Sequence, residues 1–553
     1  MERLHWCWWW QLGILCLVPW AAGDNVGKPK SCTEVKQVYS AKGYSLSGVP
    51  QSEISGEHLR ICTQGYTCCT SEMEEKFANT SKVEFEDTLK ISSLSVQGVL
   101  ILQHRNFDSY FQDLLNKSEK VLQETFPSLY GDIYIQNGKI FKDLYSELRQ
   151  YYRGSGINLE EALTDFWSRL LERVFKTQNS QFTFSDEYLD CLVKQYEQLK
   201  PFGDIPREMK LKATRAFIAA RSFVQGLSAA ADIVKKVTQV PMSHECTRAI
   251  MKLMYCPHCR GFSSTKICYN YCWNVMHGCL ANQADLDSEW RNLIESLLLV
   301  ADKFNGASGL ESIVAAIHIK ISEAITHMQE NKEVITNKVF KSCGNPKKTN
   351  KGAKTEERRR KGKAAQDDKS TVVAMDNLVL DVKGKLNDIL DYWVSLPSMF
   401  CNEKNTAGPV NDDKCWNGLT KGQYMPERMG SGLANQINNP EVEVDITKPD
   451  MSIRQQIMQL KIMTSRLHNA YNGNDVDFQD TSDDISGSGS GDGCGEEACV
   501  KKNSKDSRTG TVQIATHAIP NPPGNDASGK GTMLQSSSFM LLVAILVVQC
   551  ARW

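Results

Sequence analysis

YCPHCRGFSSTKICYNYCWNVMHGC, residues 255–279, holds five cysteines, and its reading decides the fold. Cys256-Pro257-His258-Cys259 has the form of a redox pair, in which a helix N-terminus and a histidine stabilise an attacking thiolate. That chemistry is built on a strand feeding a βαβ sheet. The spacing Cys-x2-Cys-x8-Cys-x3-Cys also imitates a thiolate zinc site. The third reading is a set of structural crosslinks, and the compartment chooses among the three.

Both ends of the chain speak to the compartment. Residues 1–23, MERLHWCWWWQLGILCLVPWAAG, have a weakly basic start, an apolar run and a small-residue exit. That is the pattern of a secretory signal, with cleavage expected after Gly23. Near the other end, Phe539–Val548 is apolar but only about half the roughly 20 residues of a membrane span. Small residues at 525–529 and a polar spacer precede it, the pattern of a glycosylphosphatidylinositol (GPI) signal. Ala527 or Ser528 is the expected attachment residue, with Asn525 next, and 529–553 would be removed. Of 19 cysteines, Cys7, Cys16 and Cys550 leave with these segments. Fourteen of the remaining sixteen lie between Cys32 and Cys415, and Cys494 with Cys499 forms a local pair. An even number in an oxidising compartment favours disulfides. Adjacent Cys68 and Cys69 are expected to reach different partners.

The surroundings of the cysteines read as helix. NLEEALTDFWSRLLERVFK (158–176) spaces Leu159, Leu163, Phe166, Leu170 and Val174 by threes and fours behind Asn158 as N-cap. SEWRNLIESLLLVADKF (288–304) and SIRQQIMQLKIMTSRLHNAY (452–471) repeat the pattern. Alternation is scarce; EVEVDI (441–446) is the clearest strand candidate. The fold class is all-α, and structural crosslinks are the preferred reading of 255–279.

Net charge is −1, so composition makes no case for nucleic acid. Residues 344–370 carry ten Lys or Arg against four Asp or Glu and read as a basic, disordered loop. Arg358-Arg359-Arg360-Lys361 is not a well-formed convertase site, since Glu357 stands where a second basic residue is needed. No catalytic triad, carboxylate pair, metal-ligand spacing or phosphate loop is present, so no enzyme and no cofactor is expected. Asn79 and Asn116 head N-glycosylation sequons, expected on surface loops. From about Asn474 onward the composition is that of a linker.

DDISGSGSGDGCGEEAC (483–499) lies in that linker. Ser486, Ser488 and Ser490 are each followed by glycine, which leaves the serine unhindered for a glycosyltransferase. Acid on both sides favours docking on a basic enzyme surface. The run reads as a glycosaminoglycan attachment site.

Taken with YCPHCRGF, CYNYCWNVMHGCLA and GLANQINNPEVEVDITKPD, this arrangement resembles the glypican family over essentially the whole mature chain. CWNG (415–418), DMSIRQQIMQLKIM and DVDFQDTSDDISGSGSGDGC point to one branch of it. The resemblance implies an elongated helical core (24–475) with seven disulfides: Cys32–Cys68, Cys62–Cys256, Cys69–Cys259, Cys191–Cys343, Cys246–Cys279, Cys268–Cys415 and Cys272–Cys401. It implies heparan sulfate on Ser486, Ser488 and Ser490 within a flexible 476–528. The expected function is a GPI-anchored co-receptor on the outer face of the plasma membrane, with shedding as a second fate. Fibroblast growth factors, Wnt and Hedgehog proteins and their receptors are the implied partners. Two alternatives stay open: a binding module acting through its core, and a thiol oxidoreductase using Cys256 and Cys259.

Overall fold

The computed structural model describes residues 30–475 except 64, 307, 349–371 and 409–413. The signal segment, the 358–361 run, the Ser-Gly cluster, Cys494, Cys499 and the anchor region lie outside the described residues. Seventeen α-helices occur among those described. In chain order they are α1 (Thr33–Ala41), α2 (Ser71–Tyr130), α3 (Asp132–Tyr152), α4 (Leu159–Gln178), α5 (Asp186–Lys194), α6 (Tyr196–Leu199), α7 (Ile205–Thr238), α8 (His244–Met254) and α9 (Cys256–Cys259). There follow α10 (Tyr269–Cys279), α11 (Ala281–Ala284), α12 (Asp287–Asp302), α13 (Leu310–Glu330), α14 (Lys332–Cys343), α15 (Val372–Asp388), α16 (Tyr392–Phe400) and α17 (Met451–Asn472). Among the described residues, sheet is confined to two antiparallel two-residue pairs, β1 (Ile54–Ser55) with β2 (Tyr66–Thr67) and β3 (Phe182–Thr183) with β4 (Lys347–Lys348).

The spine is α2, whose 60 residues extend roughly 90 Å at 1.5 Å each. Thr70 caps it by accepting from the Met73 amide. Phe77, Phe85, Val96, Leu100, Phe107, Phe111, Leu122 and Phe126 make its buried stripe, interrupted by buried Ser81, Ser93, Gln103 and Ser118. Helix α7 packs on it, and α17, α12, α13, α4 and α3 pack on α7. So many neighbours fit because α7 offers small residues. A β-carbon at Gly226 would stand 2.9 Å from Leu297 of α12 and 3.4 Å from Leu467 of α17. Length and composition would let α7 cross a membrane, but 72% of its apolar window is buried within the fold. It is a core helix.

The three sequence-predicted helices are α4, α12 and α17. Asn158 Oδ1 accepts from the amides of Glu160 (3.0 Å) and Glu161 (3.2 Å), as an N-cap does. Asp450 caps α17 through the Ile453 amide, and Gly473 ends it in the left-handed region at φ +83°. The strand expected at 441–446 is absent. Its alternation reflects one-sided burial without a pairing partner: Val442 is buried over α10, where a β-carbon at Gly278 would lie 2.6 Å from the valine's own. Alternating burial against a helix gives the same period as a strand.

Candidate functional site

The cysteine-rich end is built by α8, α9 and α10, the N-terminal segment before α2, and the loops after α16. Cys256 and Cys259, at either end of α9, do not face each other as a redox pair. Cys256 is bonded to Cys62 and Cys259 to Cys69. Both are buried, and the Cys68 amide donates to the Cys259 carbonyl at 2.7 Å. The remaining bonds are Cys32–Cys68, Cys191–Cys343, Cys246–Cys279, Cys268–Cys415 and Cys272–Cys401, with Cα separations of 4.8–5.9 Å. These are the pairs the family resemblance implies, and Cys68 and Cys69 do part ways. The oxidoreductase and zinc readings fail because all five thiols of 255–279 are consumed. Burial also holds His258 below the ordinary histidine range.

Two polar devices that sequence reasoning missed hold this end and the opposite junction. The carboxylate of Glu74, buried in the first turn of α2, accepts from the amides of Arg60, Ile61 and Cys62, each at 2.8 Å. It thereby fixes the loop that presents Cys62 to Cys256. At the other junction, Asp475, the last described residue, accepts from Arg221 Nη2 at 3.1 Å and from Tyr151 Oη at 2.8 Å. Arg221 is only 4% exposed, and its guanidinium lies 4.4 Å from the Tyr151 ring centroid. A buried cation needs such a partner. No sequence signal marked Glu74. An aspartate just after the glycine cap of α17 was the only cue for Asp475.

Asn79 and Asn116 are both exposed, but both lie within α2 and not on loops. The helix's outer face supplies the exposure that a loop was expected to give. Asn116 Oδ1 accepts from Arg149 at 2.9 Å. Their sequon serines face inward: Ser81 donates to the Ala78 carbonyl, and Ser118 bonds Tyr145 and the Val314 carbonyl. A separate apolar groove of about 190 Å³ runs between α7 and α13, floored by Met209, Ala213, Ile313, Ala316 and Ile317.

With the seven bonds and the helical core in place, comparison with known proteins is decisive. The glypican family model matches residues 14–552. The chain belongs to the glypican family. Glypican-1 of Xenopus tropicalis is 76% identical over the full length of both chains. Among solved structures, C-terminally truncated glypican-1 is 57% identical, with TM-score 0.74 over 81% of this chain and all of that one. Dally-like protein, in complex with O-palmitoleoyl serine, is 32% identical with TM-score 0.64 over 81% and 99%. Glypicans are heparan sulfate proteoglycans of the cell surface. This glypican keeps the all-helical, disulfide-stapled core of that family.

Proposed function

We propose that this glypican is a GPI-anchored heparan sulfate co-receptor that captures basic growth factors and morphogens through chains on Ser486, Ser488 and Ser490. The observation that carries the reading is the junction at Asp475. The folded core is tied down by Arg221 and Tyr151 eleven residues before Ser486 in the sequence. Acid-flanked Ser-Gly repeats follow, and then a linker with no core-forming pattern. Sulfated chains attract basic ligands largely by releasing condensed counterions, so capture should weaken steeply with salt. A flexible linker of 37 residues, Ser490 to Ala527, has a root-mean-square span of roughly 30–37 Å. Chains would start near the bilayer, and anchoring at Ala527 or Ser528 would raise ligand concentration at a neighbouring receptor. Fibroblast growth factors, Wnt and Hedgehog proteins are the ligands this reading favours.

Heparin lyase treatment of the cell-expressed protein tests it. A polydisperse band collapsing to a sharp one, and lost in the Ser486/Ser488/Ser490→Ala variant, is the expected result. A sharp band indifferent to the enzyme overturns it. Release by phosphatidylinositol-specific phospholipase C tests the anchor, and mobility after peptide-N-glycosidase tests Asn79 and Asn116. A second reading, direct binding by the folded core, is favoured by the acylated-serine complex of Dally-like protein. The α7–α13 groove is an apolar surface on which such contact could begin. Undiminished ligand binding by the triple-serine variant would select it.

A further inference from the structure

One face of α2 is left uncovered by the described residues. Ile91 is 69% exposed, Leu94 54% and Ile101 40%, although all three are large and apolar. With Gly98 they follow one another at steps of three and four, the spacing of a seam between two helices. The buried residues Phe85, Val96, Leu100 and Phe107 lie on the opposite side, against the subunit's own core. Gly98 has no role in that core: a β-carbon there would meet nothing within 4 Å. Glycine weakens a helix interior, and its use is the close approach of another backbone.

The charges flanking the seam are of opposite sign. Asp87 stands one turn before Ile91, and Arg105 one turn after Ile101. Neither belongs to an ion pair among the described residues. A two-fold axis beside residue 96 sets Asp87 opposite Arg105, Ile91 opposite Ile101 and Leu94 opposite Gly98, with every pair repeated by symmetry. Such self-complementarity is what an isologous contact requires. We propose that this face of α2 is a self-association surface, on which a second copy of the chain pairs antiparallel.

Two further features fit. Ile101 and Arg105 border a groove of about 350 Å³ whose far wall is Ala231, Asp232 and Lys235 of α7. The axis directs Ile91 and Asp87 of the second copy toward that groove and its cations. The sequons at Asn79 and Asn116 stand roughly 26 and 30 Å along the helix from the axis, so glycans there flank the seam without covering it. Two helices touching from 87 to 105 meet over roughly 27 Å. That places the contact at or below the roughly 1,200 Å² of the smallest stable interfaces. Association is therefore weak in solution and is favoured by confinement to a membrane. This last step rests on the lipid-anchored reading, which phospholipase release tests by itself.

The test uses the full chain on living cells. Ser95→Cys puts a thiol beside the axis, where a short bis-maleimide should capture a product of twice the mass. Ser109→Cys is exposed on the same helix but would sit roughly 39 Å from its twin, so it should not be captured. A parallel pair would capture it and overturn the geometry. Without added thiols, energy transfer between labelled copies should fall severalfold in Asp87→Arg and in Arg105→Asp, and return when both are combined. Transfer unchanged by either substitution, or a Ser95 product of another mass, overturns the proposal. Surface level and non-reducing mobility equal to wild type show that each variant is folded.

Discussion

At the scale of single residues, the fold relies on a few buried polar groups with several partners each. Glu74 is the clearest, since one carboxylate satisfies three amides that have no other acceptor in their loop. Glu74→Ala leaves those amides unpaired and should cost about 3 kcal/mol, against a smaller loss for Glu74→Gln, which keeps one acceptor oxygen. Thermal unfolding of the two variants should rank in that order. His277 gives a pH-dependent counterpart. It is buried in α10, 2.7 Å from the Met429 carbonyl to which Nδ1–H donates. Burial holds its folded value below the ordinary one, the Met429 bond opposes this, and Arg428 adds to the depression. Its contribution to stability is thus present above the unfolded value near 6.5 and lost as the pH falls through the folded one. Glu441, whose carboxyl burial pushes up, acts in the opposite sense at lower pH. The melting temperature should fall between pH 7.5 and 5.5, and His277→Gln, which still donates to Met429, should flatten that slope. Identical slopes would remove His277 as the cause.

At the scale of elements, helices whose apolar stripe is unbroken could be read directly, and α4, α12 and α17 lie within two residues of the predicted spans. The longest helix could not be read so. Its stripe includes polar Ser81, Ser93, Gln103 and Ser118, so the period is broken in sequence; Ser81 and Ser93 bond carbonyls of their own helix, and only Gln103 and Ser118 reach partners on other helices. Exposed Ile91, Leu94 and Ile101 blur it further by placing apolar residues on the outer face. The same reasoning explains the missing strand: Val442 and Val444 alternate, but pairing is set by neighbours that a local pattern does not contain. Of the candidate site, the cysteine readings narrowed correctly from compartment and helical surroundings, whereas Glu74 acts on amides 12–14 residues away that no motif marks, and the Arg221–Asp475 contact joins residues 254 apart. Gly98 yields a prediction at this scale. On an exposed, uninterrupted helix, Gly98→Ala should raise the stability of the isolated core by about 1 kcal/mol, seen as a higher melting temperature. If the α2 seam pairs as inferred, the same substitution weakens association while it stabilises the subunit. A drop in melting temperature would mean that the helix depends on Gly98 for a packing contact within its own subunit.

At the scale of the whole molecule, the staples are unequal because each closes a loop whose length depends on the others. Cys62–Cys256 and Cys69–Cys259 run side by side, each joining residues about 190 apart. With one present, the other closes only about ten residues, counted along 62–69 and 256–259. Cys191–Cys343 has no such neighbour. Even with the Cys246–Cys279 shortcut it closes about 120 residues between α5 and the end of α14. In the chain-entropy picture a loop of that size is worth about 5 kcal/mol, and one of about ten residues somewhat under 3. Replacing both cysteines of Cys191–Cys343 by serine should therefore lower the melting temperature more than the same replacement at Cys62–Cys256, although the latter spans more of the sequence. Thermal unfolding of the two double variants, under non-reducing conditions, decides it. The reverse order would mean that packing around α9 outweighs chain entropy, since Cys62 is fixed by Glu74 and Cys256 is buried beside Cys259.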